Sequence, residues 1–314
     1  MSPLSVLLVS AEYPPDPGGV GDYTRCLAGA LRQRGQRVSV LTAHNGQAQL
    51  VGASEERQSL GQALHWQWDT LRAVQAAIAA VQPEIVHVQF QAGAYGMHPA
   101  ILALPSLLRR TGIQAPLLVT MHDLLVPYLF PKAGPIRSWA LRRMMLAADQ
   151  VVVTNETDYA RLAVGNSQAV DLPLYNGRAL PQARRPALIP IGSNIALDPP
   201  PSYNRDEWRS RLGVAADTTL LAYFGLVSPT KGLDTVLDAL AFLPPNVRLL
   251  VIGGEAGGPQ DTAYTTALQR RIATPQLRER VTITGHCDAH DVSAYLLSAD
   301  IGVLPFRDGA SFRR

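Results

Sequence analysis

Cysteine and lysine are both scarce in this chain of 314 residues, which has two of each: Cys26 and Cys287, Lys132 and Lys231. Two distant cysteines form neither a disulfide framework nor a metal-ligand spacing, so a reducing cytoplasm is the expected setting and no metal site is expected. No stretch of about 18 uncharged apolar residues occurs, so no membrane-spanning helix is expected. The opening MSPLSVLLVSAEYPPD lacks the basic first region of a signal peptide and reads as a first strand running into a proline loop. Strong charge is missing too. The formal net charge of +3, carried almost wholly by arginine, is too small to argue for nucleic acid and is compatible with an anionic substrate or a membrane surface. What is abundant is apolar content, 47%, with 17% charged residues. That describes a folded globular chain, and its length allows two domains, each with a core.

The most informative stretch is Leu220 to Leu243, LLAYFGLVSPTKGLDTVLDALAFL. An apolar run to Phe224 predicts a short buried strand that breaks at Gly225. Leu233, Val236, Leu237, Leu240 and Leu243 then recur at helical spacing and predict one buried helix face. Ser228 as N-cap and Pro229 at the first helical position would start that helix, placing Lys231 in its first turn. A strand, a glycine break, open helix N–H groups and a lysine make a place for a phosphate. The plainer alternative is a lysine that extends into water.

The rest of the chain alternates in the same manner. Leu4 to Val9 predicts a strand, followed by the loop YPPDPGGVG and a helix with Val20, Tyr23, Leu27, Ala30 and Leu31 on one face. Val38 to Leu41 completes a βαβ unit. Gly18-Gly19-Val20-Gly21 is not the dinucleotide fingerprint, and no acidic residue ends the second strand, so a dinucleotide site is not expected. A polar loop, a helix over 69–81 and a strand at 84–90 come next, with His87 read as a hydrogen-bonded core residue. Further strands are predicted at 115–120, 150–154, 187–191, 247–252, 281–284 and 300–304. Three prolines, Pro199 to Pro201, mark a stiff linker, giving domains at 1–198 and 199–314.

In open parallel sheets ligands bind beyond the carboxyl ends of the strands. In the first half those ends carry Gly18-Gly19, the loop from Gly93 to Gly96, His122-Asp123 and Asn155-Glu156. The second half offers Gly225 to Gly232, Gly253 to Glu255, His286 and Phe306 to Asp308.

Six segments together resemble the retaining glycosyltransferases of the GT-B fold, family 4: PGGVGDYTRCLAGALRQRGQRVSVLT at 17–42, VTMHD at 119–123, LIPIGSNI at 188–195, FGLVSPTKGLDTVLDAL at 224–240, VRLLVIGG at 247–254 and VTITGHCDAHDVSAYLLSADIGVLPF at 281–306. The resemblance implies an α/β protein of two Rossmann-like doubly wound domains facing across a cleft. It implies a nucleotide-sugar co-substrate, a UDP- or GDP-sugar, held mainly by the second domain. A glycan, lipid or small-molecule acceptor would lie on the first. Transfer would proceed with retention and without a metal or a further cofactor, in a cytoplasmic enzyme. By this resemblance Lys231 holds the donor diphosphate, Gly225, Gly232, Gly254 and Glu255 belong to the same donor-binding site, and His286 lies against the base. His122 stands at the reacting sugar, or simply caps its strand. Gly18 and Gly19 let backbone approach a phosphate or acceptor. Paired carboxylates at glycosidase-like positions are not evident, which argues against hydrolysis by double displacement.

Two departures stand out. Leu226 occupies the position after Gly225 where the family carries arginine, and the sequence reaches Arg314 where the family's pair of glutamates would begin. The second domain is therefore read as incomplete. A sugar- or phosphate-binding module without catalysis and a sugar-nucleotide epimerase are the alternative readings. The arginine pairs at 109–110, 142–143 and 184–185 are either solvated faces or a peripheral contact with an anionic inner membrane face.

Overall fold

The computed structural model describes residues 2–16, 18–124, 135–164, 180–193, 195, 197–254 and 259–307. Contacts divide the chain after Asn194 into two units.

In the first unit the elements are β1 (Ser5–Ser10), α1 (Gly19–Gln33), β2 (Arg37–His44), β3 (Gln47–Val51), β4 (Arg57–Ala63), α2 (Thr70–Val81), β5 (Ile85–Phe90), α3 (Ala100–Arg110), β6 (Leu117–Met121), α4 (Pro135–Ala147), β7 (Gln150–Val153), α5 (Glu156–Val164) and β8 (Ala187–Leu188). The sheet order is β4-β3-β2-β1-β5-β6-β7-β8. From β2 through β8 neighbouring strands run parallel, whereas β3 and β4 fold back antiparallel at one edge. That edge corrects the polar loop expected after β2. Its turn is Asn45-Gly46 with φ of 49° and 71°, the left-handed pair that matches strand twist in a two-residue hairpin.

Alternation along the strands builds one core on each face. Leu7, Val9, Val86, Val88, Phe90, Leu117, Val119 and Met121 pack with residues of α2, α3 and α4. Val6, Leu8, Val38 and Val40 pack with Ala28 of α1 and with Tyr13. The buried stripe of α1 is Val20, Gly21, Thr24 and Ala28, with Leu27 and Leu31 partly covered, while Ala30 faces water. The expected face is thus rotated, because the Thr24 hydroxyl is satisfied inside, donating to Val20 O at 2.6 Å.

The second unit contains α6 (Arg205–Arg211), β9 (Thr219–Phe224), α7 (Leu233–Phe242), β10 (Val247–Ile252), α8 (Pro259–Ile272), β11 (Val281–Ile283), α9 (Ala289–Ser298) and β12 (Ile301–Gly302). Its four strands are parallel in the order β11-β10-β9-β12. Leu221, Tyr223, Leu249 and Val251 pack on one side with Leu233, Val236, Leu237 and Leu240 of α7. Leu220, Ala222, Leu250 and Ile252 pack on the other with Val292 of α9. Asn204 caps α6 and Asp288 caps α9 through their side chains. Buried Arg209 donates to Thr218 O, Ser298 O and Asp300, which ties α6 to the strand entries.

The helix expected from Ser228 does not form as one piece. Pro229–Lys231 is a 3-10 turn, Gly232 adopts left-handed backbone (φ 69°, ψ 28°), and α7 begins at Leu233. The Ser228 side chain makes no capping bond, and Lys231 precedes the α-helix instead of standing in its first turn. Leu243, expected on the helix face, lies just past the helix in extended backbone.

Candidate functional site

In the second sheet the chain moves from β9 to β10 on one side and returns as β12 on the other, so the topological switch point lies between β9 and β12. Lys231 is at that point. Its ammonium sits 4.6 Å from the centre of the Phe306 ring, a cation–π contact with the segment leaving β12. Gly232 must be glycine twice over. Its φ is positive, and a Cβ would come within 2.2 Å of the Pro305 carbonyl oxygen. The Arg307 N–H donates to Thr230 O at 3.0 Å, and the Arg307 guanidinium pairs with Asp234. Burial works against the Asp234 charge, but the Tyr264 hydroxyl at 2.5 Å and Arg307 hold the carboxyl below its usual range. Tyr264 is pushed up to about 12 by burial and by that same carboxylate.

The next strand ends are stitched together through glycine. Gly225 (φ 127°) and Gly253 (φ 132°) approach so closely that a Cβ on Gly253 would lie 2.3 Å from Gly225 O. Gly253 bridges to Gly285, and Val227 N–H donates to Gly254 O at 2.9 Å. Gly254 in turn lies beside the backbone N of His286, 3.7 Å from where its Cβ would be, and the His286 residue is exposed. The geometry therefore joins Gly225, Gly254 and His286 in one rim and sets Lys231 and Gly232 against Pro305, Phe306 and Arg307. Glu255 lies outside the described residues, as does Asp308.

The first sheet has its own switch point, between β1 and β5. On the α1 face its apolar rows give way to polar ones near the carboxyl ends. Ser10, Gln89 and Thr120 align in register across β1, β5 and β6, each wholly buried. His122, 8% exposed, follows β6; its Nε2–H donates to Gln89 Oε1 at 3.1 Å, and Tyr23 of α1 meets its ring edge-on at 4.7 Å. Gln89 Nε2 has no partner among the described residues. His87 bonds Thr120 Oγ1 at 2.7 Å, as a core histidine. Burial lowers the pKa of both histidines to about 4, with His87 a second cause for His122, so both imidazoles are neutral at pH 7.

Gly18 approaches a group of this chain. A Cβ there would lie 2.1 Å from a Glu12 carboxylate oxygen, and that carboxylate accepts from the N–H groups of Val20 and Gly21 in the first turn of α1. Burial nevertheless raises the Glu12 pKa. The anion seat of α1 is thus filled by an internal carboxylate. Gly19 is exposed and has open space around it. Two other strand-end candidates are structural. Tyr95 of the Gly93–Gly96 loop is buried against Phe90 and Trp66. Asn155 accepts from Asp158 N–H at 2.8 Å and so caps α5.

The sequence reading missed Glu12, Gln89, Asp234 and Tyr264. Gln89 does carry a signal: it is a polar residue in an otherwise apolar parallel strand, which needs a buried partner. No group of three or more His, Cys, Asp or Glu side chains able to hold a metal occurs among the described residues.

Sequence comparison adds a family to these two doubly wound sheets. The profile of the "Glycosyl transferase 4-like domain" matches residues 18–172 and that of "Glycosyl transferases group 1" matches residues 204–312, and the chain belongs to this GT-B group. Among individual proteins, it is 28% identical over 165 residues to a D-inositol 3-phosphate glycosyltransferase of Xylanimonas cellulosilytica, covering 51% of this chain and 37% of that one. It is 24% identical over 307 residues to a GDP-mannose-dependent alpha-(1-6)-phosphatidylinositol monomannoside mannosyltransferase of Mycolicibacterium smegmatis, covering 96% of this chain and 72% of that one. Sucrose-phosphate synthase of Thermosynechococcus elongatus shares the fold, with a TM-score of 0.71 at 22% identity over 96% of this chain and 75% of that one. The chain spans only about a third of the length of the first curated relatives it matches.

Proposed function

We propose that the chain acts in transfer of a sugar from a nucleotide-sugar donor, a UDP- or GDP-sugar, to a glycan, lipid or small-molecule acceptor with retention at the anomeric carbon. The observation that carries this reading is the Lys231 turn at the switch point of the second sheet, beside a rim of left-handed glycines. Breaking the glycosidic bond of a sugar nucleotide loads negative charge onto the leaving diphosphate. A lysine and backbone N–H donors already fixed in place stabilise that charge without reorganisation and without a metal; one such donor is typically worth about 10²–10³ in rate. Close approach of backbone to the diphosphate is what Gly225 and Gly254 permit, Gly232 lets the lysine turn pack on Pro305, and His286 stands further along the rim for the base.

His122 suits the sugar side. As a neutral imidazole it can hydrogen-bond a sugar hydroxyl without adding positive charge near a carbon that itself becomes positive. Retention follows if the acceptor attacks from the face the diphosphate leaves, with the leaving phosphate taking the acceptor's proton; this route requires no second carboxylate. The GDP-mannose dependence of the mycobacterial relative supports the nucleotide-sugar class.

Isothermal titration with UDP, GDP and ADP and with their sugars tests the reading. Saturable binding of one nucleoside diphosphate, weakened strongly in Lys231→Ala, is the expected result; no heat with any of them at millimolar concentration overturns it. Binding without turnover in a full-length relative carrying these residues would favour a non-catalytic sensor.

A further inference from the structure

The carboxyl edge of the first sheet carries an exposed tryptophan that the core does not use. Trp68, in the turn that enters α2, is 67% exposed. That turn lies on the edge because Leu64 N–H donates to Gly46 O at 2.9 Å, in the hairpin turn that follows β2. Facing it is the loop that follows β5, and β2 and β5 both run parallel to β1. Turn and loop therefore share the edge where open parallel sheets bind their ligands. Two aromatic contacts lock them together. Buried Trp66 meets Tyr95 edge-on with 5.0 Å between ring centres, and Trp68 meets His98 in the same manner at 5.3 Å. Asp69 fixes the turn from within: its carboxylate accepts from the N–H groups of His65 and Gln67 at 2.9 and 3.1 Å and from His65 Nδ1–H at 2.8 Å.

An edge-on contact covers at most one face of an indole, so Trp68 is held in place with a face left open. In the loop, Gly93 and Gly96 are exposed with open space where a side chain would stand. Charge is what this place lacks. Residues 64–69 and 91–99 contain no lysine or arginine, and their one carboxylate, Asp69, is taken up by the turn. A phosphate or a lipid headgroup finds no cation in either stretch. His98 Nδ1 accepts from Ala100 N–H at 3.2 Å, so in the neutral ring the proton is on Nε2, a donor beside the indole. An aromatic face next to a neutral donor fits a sugar ring, whose C–H face is apolar and whose rim carries hydroxyls. Because the turn is already ordered, little freedom is lost when such a ring binds.

We propose that Trp68 is a stacking platform for a neutral pyranose ring, with His98 Nε2–H donating to one of its hydroxyls, so that the acceptor taken by the first unit is a glycan or glycoside. Calling that ring the acceptor's rests on the sugar-transfer reading. The stacking itself does not, and its test contains no nucleotide, so each can fail without the other.

The test follows the indole N–H resonance of Trp68, assigned by its loss in Trp68→Phe, while the full chain is titrated with methyl α-D-glucopyranoside, methyl α-D-mannopyranoside and maltotriose. Sorbitol, which has the hydroxyls but no ring face, is the control. The expected result is a saturable shift with at least one of the sugars and none with sorbitol. Saturation-transfer NMR on that sugar then reads the variants. Its affinity should fall about tenfold or more in Trp68→Ala and stay within about threefold in Trp68→Phe, with circular dichroism unchanged in both. No shift with any of the sugars up to about 100 mM, an equal shift with sorbitol, or undiminished affinity in Trp68→Ala would each overturn the proposal. So would a Trp68 resonance that moves with protein concentration alone, the mark of a second copy on the platform.

Discussion

The rims of the two sheets differ more than their shared topology suggests. In the first unit the switch point is filled by the protein's own polar groups: Gln89 under His122, Thr24 against Ser10, and the Glu12 carboxylate on the first turn of α1. At the second switch point the described residues bring together glycine backbone, Lys231 over the Phe306 ring and an Arg307–Asp234 pair. A rim of buried donors and acceptors recognises hydroxyl groups by hydrogen-bond geometry, because each unmatched buried partner is costly. A rim of glycine backbone with a lysine recognises charge. The difference matches the proposed division between sugar or acceptor on one side and donor phosphate on the other.

The sharpest way to break that contrast is Lys231→Ala, for which a loss of about 10²–10³ in nucleoside-diphosphate affinity or turnover is expected. Titration calorimetry reads it, and an unchanged affinity would remove the second rim's claim to phosphate. The next test concerns protons. His122 titrates near 4 when folded and near 6.5 when unfolded, so above pH 6.5 neither state is charged and nothing is lost. As pH falls from 6.5 toward 4 the unfolded chain gains the proton first, and stability drops by up to about 3 kcal/mol. Denaturant melts at pH 7, 5.5 and 4.5 should show that slope together with a similar one from buried His87, and His122→Gln should remove roughly half of it. A flat wild-type profile would mean the first rim is wet.

A smaller effect separates two adjacent glycines. Gly253→Ala forces a side chain against Gly225 O at positive φ and should cost roughly 1–3 kcal/mol. Gly254→Ala meets only ordinary contacts and should fall within about 0.5 kcal/mol in the same denaturant assay. The smallest change is Glu12→Gln. It removes a charge that burial disfavours more than its two N–H bonds favour it, so the first unit should be unchanged or more stable by under about 1 kcal/mol, seen as a shift in thermal midpoint. A loss of stability would show that the N–H bonds and the α1 dipole outweigh burial.

Most elements could be read from pattern, and the misses have physical causes. Asn45-Gly46 announced a hairpin that the polar composition around it obscured; β3 alternates only weakly and β4 is mostly exposed. The helical spacing from Leu233 onward was real, but the capping grammar of Ser228-Pro229 started a 3-10 turn. Gly232, in left-handed backbone against Pro305, then separated that turn from α7. In the candidate site, Lys231 and His122 stood out by residue type and position. Glu12 and Gln89 did not, because what marks them is a partner met only after folding.

Alternation, turn chemistry and the family-like segments act over a few residues, so the order of strands and helices and the lysine-bearing turn were already present in the linear chain. Gln89 meets His122 from 33 positions away, and Gly232 meets the carbonyl of Pro305. Those pairings follow from strand order and register, which depend on how each helix crosses the sheet, and a one-dimensional pattern carries no record of that crossing.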